Sequence, residues 1–382
     1  MLKKLIAVLL AFALCLSLTA CGGEGGEQSA DTRVITDLIG RQITIPNDPQ
    51  RIAAMTGPSY EMVFMLEGKD KMCMTKTGHT TNYPLALLTN PDLANYETVG
   101  ANPSSAVNIE DYLSRNIDLI IYYSNDNELK KFDAVNIPAV VLTLNEGLLT
   151  DVESVMSQSV DEYIETSTIA AKTLAEIINT DEARAEYDKW YAYNVEKINM
   201  LSERTANLTD EQRPVVYWGN TWGENVLASY ALKNRIYEIN LAGGRLVGPL
   251  AGNGSFPEVT SEQLFEWDPV IILVDNHGNF PELVIKSMYK DTSKWATLSA
   301  VKNKQLYRIP AGVFFLDKGT TTTLMLVWLA TVIQPELFSD IDVLAEIQYY
   351  YQEFYEYNMT RDEAQKVLDG WYDSNEDWKK SE

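Results

Sequence analysis

The chain has 382 residues, too many for one small core and enough for two lobes of ~150–180 residues each. Its composition, 46% hydrophobic and 22% charged, argues against a disordered, collagen-like or disulfide-dense chain. Fifty-four acidic residues against 31 basic ones give a formal charge of −23, a field that repels polyanions and argues against nucleic acid as a partner.

Residues 1–20 read as an export signal: Lys3 and Lys4 precede an apolar run that is slightly short for a spanning helix of ~20 residues. Leu18-Thr19-Ala20-Cys21 resembles a bacterial lipobox, which implies lipidation of Cys21 and an extracytoplasmic protein held on the cell membrane by acyl chains. Cleavage there removes two lysines and no acid, so the mature charge falls to −25. Residues 21–32, rich in Gly, Glu and Ser, read as a flexible tether. Of three cysteines only Cys73 then remains, as a small buried hydrophobe with no disulfide partner.

Residues 34–46 alternate apolar and polar positions about Gly40-Arg41, the pattern of a hairpin. Short β-rich runs at 51–55, 71–76, 119–123 and 139–144 alternate with helix-compatible stretches, which predicts a mainly parallel sheet with helices on both faces. From Asp181 a Gly- and Pro-free stretch predicts one long helix. Further strands at 215–218, 270–274 and 305–309 predict a second α/β lobe, and residues 341–357 a terminal helix. The expected fold is therefore α/β, two Rossmann-like lobes (33–180 and 213–382) joined by a single long interlobe helix (181–212).

The chain carries no GxSxG, GxxxxGK[ST], HExxH, CxxC or strand-borne GxGxxG, and its two histidines lack a nucleophile elbow. The expectation is a protein that is not an enzyme and needs no cofactor.

Ordered short motifs carry a resemblance. Val34 to Pro46 followed by Pro49-Gln50-Arg51-Ile52 opens it, and Asn108-Ile109-Glu110 with Asp118-Leu119-Ile120-Ile121 follows. In the second half come Leu241-Ala242-Gly243-Gly244, Val259-Thr260-Ser261-Glu262-Gln263-Leu264, Trp267-Asp268-Pro269, Trp295 and Leu306-Tyr307. Together they resemble class III substrate-binding proteins, the ferric-siderophore, haem and cobalamin receptors of ABC importers. One departure is Asn116-Ile117, where the family usually has proline. The resemblance implies a monomer that captures a metal chelate, a ferric siderophore first, and delivers it to a permease and its ATPase. Cobalamin, haem, a nickel or cobalt chelate, and molybdate or tungstate are the alternatives within the family, and a lipid-anchored extracellular enzyme is the rival from outside it. It also implies that Glu110 and Glu262, one per lobe, dock into arginine pockets of the permease.

Ligand groups are expected on loops at the carboxyl ends of the strands. Tyr60, Tyr83, Tyr122, Trp218, Trp222, Phe256 and Phe315 are the candidate aromatic walls, and Ser59 opens a helix N-terminus suited to an anion. Arg245 and Lys318 are the candidate cations. His79 and His277, one per lobe, are candidate ligands of a chelated metal, with no direct site for a bare ion.

Overall fold

The computed structural model describes residues 31–100, 106–143, 152–221, 228–229, 233–248, 256–278, 281–290 and 292–371. The first two strands, β1 (Thr32–Thr36) and β2 (Gln42–Pro46), pair across a turn in which Gly40 takes φ 82°. Buried Asp37 fixes that turn, accepting from the Arg41 guanidinium at 2.8 and 3.0 Å and from the Arg41 amide at 2.9 Å.

The first lobe is a parallel sheet of β3 (Ile52–Ala54), β4 (Met72–Lys76), β5 (Glu97–Val99), β6 (Leu119–Ile121) and β7 (Ala139–Val140), in the order β5-β4-β3-β6-β7. The second lobe repeats it. There β8 (Val215–Thr221) takes the place of β3, flanked by β10 (Arg245–Val247) and β11 (Ile271–Gly278), with β12 (Leu306–Arg308) outermost; β9 (Ala228–Ser229) pairs antiparallel with β8.

Strand periodicity divides the core. Ile52, Ala54, Leu119 and Ile121 face a large central cluster, while Ala53 and Ile120 face an outer one with Phe132. In the second lobe Val216, Trp218, Ile271 and Leu273 face the same central cluster, and Tyr217, Ile272 and Val274 an outer cluster of their own. Both faces are covered, which is why β3 and β6 read as unbroken apolar triplets.

The interlobe helix runs Asp181–Thr205, with Thr180 accepting from the Ala183 amide at its start. It ends before residue 212; a 3-10 turn, Asp210–Gln212, completes the connection. The sequence reading missed its antiparallel companion, helix Val160–Ile178, which starts in a reciprocal Ser159/Glu162 capping box and ends with Asn179 left-handed at φ 62°. It also missed β5, β9 and β10. C-terminal helix Val343–Tyr355 returns to the first lobe, where Tyr355 stacks on Phe64 at 5.2 Å.

Candidate ligand cleft

Parallel pairing brings the carboxyl ends of β3, β4, β6 and β7 to one edge and those of β8, β10, β11 and β12 to another. A cavity of about 380 Å³ opens beside the lobe junction. Its wall includes Pro58 and Thr143 of the first lobe, Tyr163 and Ser167 of helix Val160–Ile178, and Arg235, Glu238, Asp317 and Lys318 of the second lobe.

Arg235 organises that wall. It is paired with Glu238 one turn along helix Lys233–Leu241 and donates to the Asp317 carbonyl at 2.6 Å and carboxylate at 3.3 Å. Its guanidinium lies 4.9 Å from the Trp218 ring centre, and Tyr163 donates to Glu238 at 3.2 Å. Arg235, Glu238 and Asp317 are all buried, so their mutual pairing replaces the lost hydration. Among the described residues of the wall, the four formal charges, Lys318 included, cancel.

Beside the cavity, residues of both lobes form an aromatic socket. Phe314 of the second lobe lies 5.8 Å from His79 and 5.2 Å from Tyr83; Tyr60 lies 5.2 Å from His79, and Phe315 5.5 Å from Tyr83. His79 is 1% exposed, and burial, helped by the Lys76 ammonium, pushes its imidazole down to about 3, so it stays neutral. Its tautomer follows from its neighbours. Thr75 donates its one hydroxyl proton to the Ala54 carbonyl at 3.0 Å, so at 2.7 Å it can only accept from His79 Nδ1. Nε2 is left with a lone pair and, among the described residues, no hydrogen-bond partner.

The structure thus gathers Tyr60, His79, Tyr83 and Phe315, and disperses the other expected wall residues. Ser59 is buried, its hydroxyl donating to the Thr56 carbonyl at 2.8 Å and accepting from the Thr56 amide at 3.0 Å in a capping box. The N-terminus of that helix, capped by Thr56, is covered at Gly57 by Phe314 rather than open to an anion. Tyr122 is a first-lobe core residue edge-on to Phe132 at 5.3 Å, and Trp218 lies fully buried beneath Arg235. Arg245 is exposed at the amino end of β10, in register with Val215, and so lies away from the loop edge where it was expected. Phe256 is half-buried against the central core. His277 is the penultimate residue of β11. Trp222 and Cys21 lie outside the described residues. Sequence reasoning missed Arg235, Glu238 and Asp317; the i, i+3 spacing of the first two was the available signal.

Glu110 and Glu262 are exposed in the first turns of helices Glu110–Leu113 and Ser261–Trp267. They occupy matching places: Glu110 stands nine residues before Leu119, which opens β6, and Glu262 nine before Ile271, which opens β11. Each has an exposed apolar residue three positions on, Leu113 and Phe265.

A family model described as periplasmic binding protein matches residues 52–313. The chain belongs to the periplasmic binding protein family. It is accordingly an extracytoplasmic solute-binding component of an ABC transporter and not an enzyme. It is 24% identical to the molybdate-binding protein MolA of Haemophilus influenzae over 355 residues, covering 87% of this chain and 93% of that one. The molybdate-bound structure of MolA superposes with a TM-score of 0.70 at 23% identity, covering 86% and 99% of the two chains. A periplasmic solute-binding protein of Veillonella parvula gives 0.68 at 22% identity (88% and 97%), and the nickel–histidine complex of Helicobacter pylori CeuE 0.66 at 17% (88% and 99%). Among the described residues, no helix is long and apolar enough to cross a membrane.

Proposed function

We propose that this binding protein captures a compact metal chelate, an iron chelate of the siderophore class, in the cavity bounded by Arg235, Tyr163 and Lys318. The supporting observation is the cavity itself: about 380 Å³, within the range of small-ligand sites, with charges that cancel among the described residues of its wall. A bare tetrahedral oxyanion is far smaller and prefers a surplus of positive charge, whereas a chelate that masks its own metal fills such a space without one. The neighbouring His79 Nε2 has the free lone pair a chelated metal accepts, once Phe314 moves aside. Lipidation of Cys21 would keep the receptor at the membrane, and Glu110 and Glu262 would seat it on the permease.

A second reading, a molybdate or tungstate receptor, is favoured by the likeness to MolA. Thermal melting separates the two, because a ligand at about one hundred times its Kd stabilises the native state by ~2.7 kcal/mol. Ferric chelates, corrinoids, haem and tetrahedral oxyanions are added in turn. A rise with a ferric chelate alone is the expected result; a rise with molybdate or tungstate alone establishes the second reading, and no rise with any of them overturns both.

A further inference from the structure

Between the cavity and the central core lies a group the binding reading does not use. Glu61, on helix Gly57–Met65, is fully buried, and among the described residues neither carboxyl oxygen has a hydrogen-bond partner. It lies where helix Gly57–Met65 of the first lobe meets the turn Gly319–Thr321 of the second. Gly319 has φ 72°, and a Cβ there would fall 2.6 Å from Glu61 Oε2 and 3.1 Å from Pro58 Cβ, so only glycine admits the carboxyl at this distance. The turn is held from its other side: the Thr320 carbonyl accepts from Trp190 of the interlobe helix at 3.1 Å and from Tyr350 of helix Val343–Tyr355 at 2.7 Å.

Among the described residues, the titratable and charged groups that act on Glu61 include no cation. From the second-lobe turn Asp317 faces it, with its charge already engaged by Arg235; Lys318 follows Asp317 on the cavity wall. From the C-terminal helix come the phenols of Tyr350, Tyr351 and Tyr355, and on its own helix Tyr60. Burial pushes the Glu61 carboxyl well above the usual range. The Thr320 amide points toward it without closing a hydrogen bond and offsets part of that push, and Asp317 adds to it.

We propose that Glu61 makes the seam between the lobes proton-dependent: the seam holds while the carboxyl keeps its proton and loosens when the proton is lost. A buried neutral acid packs against Gly319 at little cost. Among the described residues a carboxylate there has no counter-ion, and the Thr320 amide offsets only part of its burial, so it gains hydration by parting the helix from the turn. Pro58, Met62, Gly319 and Thr320 belong to both the seam and the cavity wall, so a loosened seam deforms the cavity. That last consequence rests on the cavity being the cargo site; the proton dependence of the seam does not.

The sign follows from linkage. The carboxyl is harder to ionise in the folded state, so its contribution to stability is complete below its ordinary range, near pH 4.5, and is lost as pH rises toward its folded value. The test compares the full-length protein with Glu61→Gln, without ligand, by thermal melting from about pH 5 to about pH 8.5. The wild type is expected to lose melting temperature relative to the amide variant as pH rises, with a gap of about 3 °C or more by about pH 8. Parallel curves overturn the proposal. Should the variant not fold, infrared spectra of the wild type decide: a protonated-carboxyl band at neutral pH, fading as amide exchange of Thr320 accelerates several-fold beyond its intrinsic rise, sustains it. A spectrum without that band at any pH overturns it.

Discussion

Phe314 of the second lobe covers Gly57 of the first so closely that a Cβ on Gly57 would fall 2.0 Å from the ring. The lobes are joined here by a ring lying where a side chain would normally begin. Gly57→Ala must displace the ring or its loop, and the expected loss is about 1–3 kcal/mol, read as a lower urea midpoint at unchanged slope. Phe314→Ala made in the same background should remove most of the added penalty. If Gly57→Ala melts like the wild type, the ring does not occupy this place in solution.

His79 supplies a second prediction. Its folded imidazole, held near 3 against an ordinary 6.5, binds fewer protons than the unfolded chain in between. Stability should therefore fall as pH drops from about 6.5 toward 3, and His79→Leu should flatten that slope. Proton NMR checks the premise directly: the His79 ring signals should not move between about pH 5 and pH 8. A midpoint near 6 would remove it.

Arg235 carries a third. Arg235→Met removes the guanidinium that pairs with both buried carboxylates, Glu238 and Asp317, a change expected to cost about 3–5 kcal/mol. Arg235→Lys keeps the charge but cannot bridge both carboxylates with a planar fork, so its loss should be smaller. Chemical denaturation of the three proteins gives the order, and a loss under ~1 kcal/mol for the methionine variant contradicts the network.

A fourth concerns docking. Glu110→Ala with Glu262→Ala should leave cargo affinity within about two-fold while solute uptake by intact cells falls at least ten-fold, because the exposed carboxylates touch no described part of the cavity. Leu113→Ser with Phe265→Ser, one turn along the same helices, should act in the same direction but more weakly. Loss of cargo binding in the glutamate pair would place those residues in the ligand site instead.

Legibility in the sequence followed the range of the forces involved. The triplets Ile52–Ala54 and Leu119–Ile121 announced themselves because a strand covered on both faces needs an unbroken apolar run. The interlobe helix was legible from its freedom from Gly and Pro, and the matched glutamates from motif order. Glu61 was not, because it sits at an ordinary helical position and the turn and helix that surround it lie more than 250 residues away. Arg235 and Glu238 look like a surface i, i+3 pair until Trp218 and Asp317 cover them. Of the adjacent pair Phe314-Phe315, both of which reach Tyr83 of the first lobe, local sequence offered no means of saying which ring covers Gly57.

The return of helix Val343–Tyr355 to Phe64 has a consequence for how the protein is made. The amino-terminal half leaves the ribosome long before the segment that completes its packing, so until translation is nearly finished it has an unfilled hydrophobic face. Shortening the tail should therefore harm the front half first, and protease nicking of such a truncated product is expected to begin near Phe64 rather than at the cut end.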